Sequence, residues 1–160
     1  MPAVQPSYVG LDMFLYYNSG SFSVPVWVAV NARDNKKVRA MGEADVSNRG
    51  SKNQLSEPTL NKREYQFDIV TDQTDAAFVA IQTAYFARTP IEFALSNGPI
   101  GTAGTVASGG TVNVVYSRIT CKIFGFEDAE PLDGADITSV TAKPCKLAQT
   151  NAPTDNALVS

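Results

Sequence analysis

The sequence contains no histidine, only two cysteines and only one tryptophan. Without histidine there is no histidine-based catalytic triad and no histidine-ligated metal, so a general base would have to be a carboxylate, a lysine or a tyrosine. Cys121 and Cys145 are too few for a disulfide framework or a four-ligand zinc site, and we expect both to be buried thiols. These absences argue against most metalloenzymes and against small disulfide-rich domains.

An excess of basic residues is also missing, because 13 Lys and Arg stand against 16 Asp and Glu. A net charge of −3 is not what a protein that holds nucleic acid through its phosphates requires. The chain has no apolar run of the length that a membrane helix needs, and no Lys or Arg precedes the short apolar run near its N-terminus. We therefore expect a soluble protein that is made in the cytoplasm without membrane insertion.

Motifs for catalysis or ligand binding are absent as well. The glycine-rich stretch 97–111 has neither the GxxxxGK[ST] nor the GxGxxG spacing that cradles phosphates. The acidic stretch "EDAEPLDGAD" at 127–136 lacks the alternating Asp and Asn with a closing Glu of a calcium loop, which favours a solvated hairpin turn. GxSxG, HExxH and CxxC do not occur. The sequence predicts no enzyme, no cofactor and no metal site.

What the first half of the chain does contain is alternation with the period of a strand. "VPVWVAV" at 24–30 is a β-branched run, and "GEADVSNR" at 42–49 and "KREYQFDIVT" at 62–71 alternate polar and apolar residues. The polar stretch 31–37 predicts a turn between the first two, and 49–58 predicts a long loop between the last two. This half therefore reads as three strands.

The pattern then changes to the period of a helix in "TDQTDAAFVAIQTAYFAR". The apolar residues on its i, i+3, i+4, i+7 stripe are Ala77, Phe78, Ile81, Ala84 and Tyr85. Asp72 or Thr74 is available as the N-cap, Asp75 suits the first turn, Arg88 complements the dipole, and Pro90 ends the helix.

Three more strands are predicted after the helix. In "PIEFALS", alternation turns Phe93 inward and Glu92 outward. The glycine-rich loop follows, and then come a long strand at 112–126 with a bulge near Ser117 and a last strand that ends near Leu147. With the order β-β-β-α-β-β-β, we predict a mainly β protein with one helix, built as a two-sheet β-sandwich or barrel with the helix at its flank.

At 160 residues the chain is long enough for one domain with a single core. We predict an N-terminal arm at 1–22, the β domain at 23–147 and a loose C-terminal tail at 148–160. Sheet edges and the two polar loops are places where a second copy could add a strand.

The order of these segments resembles the major tail tube proteins of long-tailed bacteriophages and prophages. The resemblance rests on "LYYNSGSFSVPVWVAV", "GEADVSNRGS" and above all "LNKREYQFDIVTDQTDAAFVAIQTAYFARTPIEFAL", and it spans residues 11–147. The glycine-rich connection and the residues after Leu147 depart from the family pattern.

The resemblance implies a structural subunit that assembles into hexameric rings, which stack into a hollow tube in the virion tail. Its partners would be copies of itself, other phage tail proteins and double-stranded DNA in transit, with the host cytoplasm as the place of assembly. Two alternatives stay open: the inner tube of a contractile injection or secretion system, and a monomeric β-barrel that binds a small ligand near Trp27.

A mixed or acidic lining would let DNA slide, since a wall of Lys and Arg would hold its phosphates. By strand parity the candidates for this lining, which could equally face bulk water or a neighbour, are Glu43, Asp45, Ser47, Glu64, Gln66, Asp68 and Glu92. The candidates for contacts between subunits are Arg49, Lys52, Arg63, Arg118, Lys122 and Lys143.

Overall fold

A computed structural model describes residues 14–50, 52–105, 114–129, 136–151 and 154–158. These residues form eight strands, one α-helix and one 3-10 turn. Their bounds are β1 Phe14–Asn18, β2 Trp27–Val30, β3 Ala32–Asp45, β4 Ser56–Val70, α1 Ala76–Ala87, β5 Ile91–Ser96, β6 Val115–Ala129, β7 Ile137–Pro144, the 3-10 turn Lys146–Gln149 and β8 Thr154–Leu158. The predicted class, mainly β with one helix, is confirmed.

All eight strands belong to one antiparallel sheet with the order β2-β1-β5-β6-β7-β4-β3. The long strand β6 has β5 along one edge at residues 116–121, and on its other edge it pairs with β8 and then with β7. The strands β2 and β3 lie at opposite ends of this order, yet only Asn31 separates them in the chain. The sheet therefore rolls up until its two ends meet, as in a barrel.

The inner face of this rolled sheet holds the main core. The T-shaped ring pair Phe67–Phe93, with centroids 5.4 Å apart, lies at its centre, and the helix buries Phe78 and Ile81 against it. Alternation of the strands sends Tyr65, Phe67 and Ile69 inward, as the period of two predicted. Non-local strand pairs and the predominantly apolar helix thus enclose the main core.

A second apolar cluster covers the outer face of the sheet around β5. Tyr16 and Trp27 pack there with Ala94, Ile100 and Val114, so every residue of β5 is buried. Gly104 has φ +82°, and a Cβ on it would lie 2.9 Å from Trp27 Nε1. Only glycine lets the loop approach the indole so closely without strain.

The helix begins later than predicted, since its N-cap lies one residue after Thr74 and three residues after Asp72, the two predicted caps. Asp75 is the N-cap, and its carboxylate accepts a hydrogen bond from the backbone amide of Ala77, whereas Asp72 binds Thr74 in the preceding turn. The hydroxyl and the backbone amide of Thr74 hold the pKa of Asp72 below its usual range. The helix ends where Arg88 takes a left-handed conformation, two residues before Pro90.

Several predicted boundaries need correction. All but the first residue of the predicted turn at 31–37 lies inside β3, where the register shifts around Asp34, which has a φ of 52°. A β-bulge accommodates the extra residues at this point, so the polar stretch stays paired with β4. The predicted strand 42–49 ends at Asp45, because the Asp45 carboxylate accepts a hydrogen bond from the Ser47 backbone amide and so closes a turn. In β6 the irregularity against β7 falls between Ile123 and Gly125, and a second shift, against β8, falls beside Ser117.

Two segments outside the predicted domain also belong to the sheet. The predicted arm 1–22 contains β1, an interior strand whose Leu15, Tyr16 and Tyr17 are buried. The predicted tail 148–160 contains β8, which pairs with β6. Residues 1–13, the acidic stretch at 130–135 and positions 106–111 of the glycine-rich loop lie outside the described residues.

The two cysteines are both free, but only Cys121 is fully buried, while Cys145 is half-buried. Desolvation raises the pKa of the Cys121 thiol well above its ordinary range, so the reactive thiolate hardly forms there.

We expect iodoacetamide to add one group per native chain, at Cys145, and a second only after denaturation. Mass spectrometry of the intact and digested protein measures this, and rapid native labelling of Cys121 would contradict the burial of that strand.

Candidate assembly surfaces

The longest exposed feature of the described residues is the outer part of the β3–β4 hairpin, residues 36–50 and 52–64, which we call the arm. The β4 strand pairs with β7 only from Tyr65 onward, so before that residue its one strand neighbour among the described residues is β3. Every residue from Ser56 to Lys62 is exposed, including Leu60 at 82%. A two-stranded ribbon of this kind is marginally stable by itself.

Charge is divided along the arm. Near the body lie the basic residues, where Arg39 faces Arg63 across the ladder. Farther out lie Glu43, Asp45 and Glu57. The hydroxyl and backbone amide of Ser47 hold the pKa of Asp45 below its usual range, so this carboxylate stays charged. The outer half of the ladder, residues 41–46 and 55–60, is therefore acidic, with the exposed apolar side chains of Met41, Val46, Leu55 and Leu60 in it, and the loop beyond it carries Arg49 and Lys52.

A second exposed feature, which we call the aromatic surface, lies where the end of the helix meets β6. Phe86 and Phe124 are 70% and 61% exposed. They border a groove of about 470 Å³ whose other lining residues are Tyr85, Arg88, Lys122 and Ile123. Tyr85 and Phe86 continue inward through Phe126 to the core residue Phe78, with ring centroids 5.2 to 6.4 Å apart.

The backbone explains why Phe124 is exposed. Ile123 pairs with Ala142 and Gly125 pairs with Thr141, so Phe124 is an extra residue without a partner in the β7 ladder. Such a bulge turns its side chain away from the regular alternation. The Lys143 ammonium lies 5.4 Å from the centre of the Phe124 ring, within the range of a cation–π contact.

A buried ion pair fixes the outer side of β5 and β6. Arg118 Nη2 donates to Glu92 Oε1 at 2.7 Å, and Arg118 Nε donates to Oε2 at 3.3 Å. Asn18 Nδ2 donates to the same carboxylate at 2.9 Å, and the Phe22 carbonyl accepts from Arg118 at 2.9 Å. The guanidinium carbon lies 4.2 Å from the Phe22 ring centre and 5.2 Å from that of Trp27. Both charges are thus satisfied inside the subunit.

The predicted lining residues do not share one face. Glu64, Gln66 and Asp68 lie together on the outer side of β4, opposite to the buried Tyr65 and Phe67. Glu43 and Asp45 alternate in phase with Arg39, and the pairing of Arg39 with Arg63 places them on the other side of the hairpin. Ser47 lies in the turn beyond β3.

Glu92 is corrected from the outward position that alternation predicted. Its carboxylate is only 6% exposed, because Asn18 and Arg118 bind it and Phe22, in the connection between β1 and β2, packs against Arg118. Among the predicted contact residues, Arg118 is likewise engaged inside its own chain. Arg49 and Lys52 are exposed in the loop, Arg63 lies on the arm, and Lys122 and Lys143 lie at the aromatic surface.

Sequence reasoning missed Phe86 and Phe124. A signal for Phe86 exists, because this residue falls outside the apolar stripe of the helix. For Phe124 the bulge removes the signal, since alternation near it is broken. Within the described residues, no cluster of three acidic, cysteine or histidine side chains could hold a metal, and no helix is both long and apolar enough to span a membrane.

Comparisons with known proteins come from structure alone, since no family model and no curated protein matches the sequence. A chain from the tail of an empty gene transfer agent particle, solved with C6 symmetry, is 14% identical and has a TM-score of 0.64, with 94% of this chain and 100% of that chain covered. The SPP1 tail tube chain is 15% identical with a TM-score of 0.62, at 93% and 87% coverage. A chain from the anti-feeding prophage baseplate is 5% identical with a TM-score of 0.50, at 89% and 92% coverage.

These similarities show that the chain has the fold of tail tube subunits. The tail-tube-like fold expected from the resemblance is therefore confirmed. At identities this low, the comparison concerns the fold and not the identity of individual residues.

The buried pair should be a strong determinant of stability. We expect Glu92→Ala to lower the free energy of unfolding by about 3–5 kcal/mol, because it strands the Arg118 charge in an apolar site. Glu127→Ala, on the exposed end of β6, is the matched control and should change it by about 0.5 kcal/mol or less. Urea unfolding measures both.

The double variant Glu92→Ala/Arg118→Met tests the coupling. It should be more stable than Glu92→Ala alone, because no uncompensated charge remains while the long side chain still fills the space beside Phe22. Additive losses would show that the two residues act independently.

Proposed function

We propose that this protein is the subunit of a tail tube in a long-tailed bacteriophage or prophage, where copies form stacked hexameric rings around a channel for DNA. The arm carries the proposal: on the fold of a tail tube subunit it exposes a long ribbon that needs a partner on both faces. The C6 symmetry of the similar gene transfer agent tail supports rings of six.

Assembly of this kind needs two different contacts between identical subunits. One contact must close by rotation into a ring, and the other must repeat along an axis without closing, so that rings add into a filament. The arm and the aromatic surface are separate exposed regions, which provides for head-to-tail contacts. Other tail proteins would bind the ends of the tube. Such a subunit would be assembled in the host cytoplasm and would end in the virion.

For the channel wall we propose the outer side of β4, where Glu64, Gln66 and Asp68 lie side by side. Asp68 accepts a hydrogen bond from Ser139 on β7 at 2.7 Å, and Thr141 lies opposite Gln66 in the ladder. Arg33 and Lys36 face the same side from β3. Lys143, two residues beyond Thr141, alternates to this side as well, so acids and cations stand side by side, and such a mixed surface should hold a polyanion less firmly than a wall of Lys and Arg.

The inner tube of a contractile system is a second candidate, favoured by the similarity to the anti-feeding prophage baseplate chain. A sheath gene beside this gene would favour it over a non-contractile tail.

Self-assembly is the direct test of the proposed function. We expect the purified protein to form rings or tubes as its concentration rises, because the two-stranded arm is only marginally stable until a second chain covers it. Negative-stain electron microscopy and light scattering measure this. A monomer at every concentration would contradict the proposal and favour the small ligand-binding barrel.

The channel wall has its own test in the assembled tube. We expect Glu64→Lys/Asp68→Lys tubes to retain short duplex DNA at low salt and to release it as salt rises, since each added lysine contact releases counterions. Retention is measured by sedimenting tubes with labelled DNA. Thr83→Lys, on the exposed side of the helix, is the control for added charge, and equal retention by the control would place Glu64 and Asp68 away from the channel.

A further inference from the structure

The aromatic surface carries three cations and no anion. Lys122 and Lys143 lie directly opposite each other in the β6–β7 ladder, and Arg88 lines the same groove. None of the three forms an ion pair within the part of the chain that the structure describes. Like charges facing each other across a ladder destabilise a sheet, so this arrangement costs the isolated subunit free energy.

The backbone conformation of Arg88 is a second source of unfavourable free energy at the aromatic surface. Its φ of 56° and ψ of 34° at the helix C-cap belong to the left-handed conformation that glycine adopts without strain. Its amide closes the helix by binding the carbonyls of Ala84 and Tyr85, which any residue could do. An arginine at such a position indicates that the side chain itself has a use.

The aromatic surface also has two exposed aromatic rings and an open edge of β6. Phe86 and Phe124 are the most exposed phenylalanines described. The β5 strand leaves β6 after Cys121, so from Lys122 onward that edge of β6 has no strand neighbour among the described residues. Aromatic rings, arginine and depleted acid are typical of the centre of a protein interface. The surface therefore favours a partner that is both apolar and acidic.

The outer half of the arm has that composition. Glu43, Asp45 and Glu57 are exposed there, and the exposed apolar side chains Val46 and Leu55 border them. The other acidic segment, 127–136, has five carboxylates but only Ala, Pro, Leu and Gly besides, with a single large apolar side chain, Leu132. Of these two segments, the outer half of the arm is the one that supplies several large apolar groups together with the acids, while Arg49 and Lys52 lie in the loop beyond it.

The arm of a subunit does not reach its own aromatic surface. The β4–β7 ladder sets the direction of the hairpin, and its last pair is Tyr65 with Ala142, next to Lys143. From Tyr65 to Glu57 the strand runs on for about 26 Å, at about 3.3 Å per residue, away from that level. The contact can only form between two chains.

We propose that the aromatic surface is the docking site for the acidic outer half of the arm of a second copy of this chain. This inference rests on the proposed tube and names the surfaces that meet in it. Phe86 and Phe124 cover the apolar side chains of the arm, while Arg88, Lys122 and Lys143 face its carboxylates. The contact joins different surfaces on the two copies, so it propagates head to tail.

Two substitutions separate assembly from folding. Lys122→Glu replaces the opposed lysines with an opposite-charge pair, and Arg88→Gly relieves the left-handed backbone. Each monomer should therefore melt at the same temperature as the wild type or higher, while the concentration needed for tube formation rises about tenfold or more. Thermal unfolding at low concentration and light scattering at high concentration measure the two effects. A parallel loss of monomer stability would assign these residues to the fold instead.

Charge exchange tests the partner. Glu43→Lys/Glu57→Lys should also block assembly, and combining it with Lys122→Glu/Lys143→Glu in one chain should restore most of it. Glu127→Lys/Asp136→Lys, at the other acidic segment, is the control and should neither block assembly nor restore it. If the control variant restored assembly instead, the arm would not be the segment that binds the aromatic surface.

The outcomes also separate this inference from the proposed function. If the wild-type protein stays monomeric, both are overturned. If wild-type tubes form and neither Lys122→Glu nor Arg88→Gly weakens them, the tube stands and the docking site is wrong.

Discussion

One residue, Asn31, joins strands that lie at opposite ends of the sheet, and most of the fold follows from this constraint. Because β2 pairs with β1 and β3 pairs with β4, the chain can satisfy both ladders only if the sheet rolls up. Rolling encloses the inner apolar face. Within the described part of the chain, the edges that still lack a strand neighbour include those of the arm and of β6 beyond Cys121, and open edges are the usual sites of pairing with another chain.

Burial of the β5 strand on both faces is the second consequence of this arrangement. The helix and the core cover its inner face, and Trp27 with the loop after β5 covers its outer face. A carboxylate there has to be paired, and Arg118 from the neighbouring strand supplies the charge. Because the outer face of β5 is covered and the outer face of β4 is open, Glu92 is a structural residue and Glu64 is not.

Helices and strands with a regular hydrophobic period can be predicted from this sequence. Whether a distant segment buries one face of a strand cannot. The helix and the inward residues of β4 follow directly from spacing, and so does the class of fold. Glu92 has the same alternating signal as Glu64, and only its burial beside Asn18 and Arg118 distinguishes the two. The β1 strand lacks polar alternation because it is an interior strand, and a bulge hides the exposure of Phe124. The opposed Lys122 and Lys143 become visible only once the register is known.

The position of β1 has a consequence for the order of folding. Its hairpin partner β2 follows closely in the chain, but its other neighbour is β5, and Leu15 pairs with Leu95. Closing a loop of that length costs more entropy than closing any hairpin, so contacts of this kind form late. During synthesis the N-terminal hairpin must wait until the helix and β5 have emerged. Until then Leu15 and Tyr17 have no core to enter, which makes this interval the one in which the chain is most exposed to aggregation.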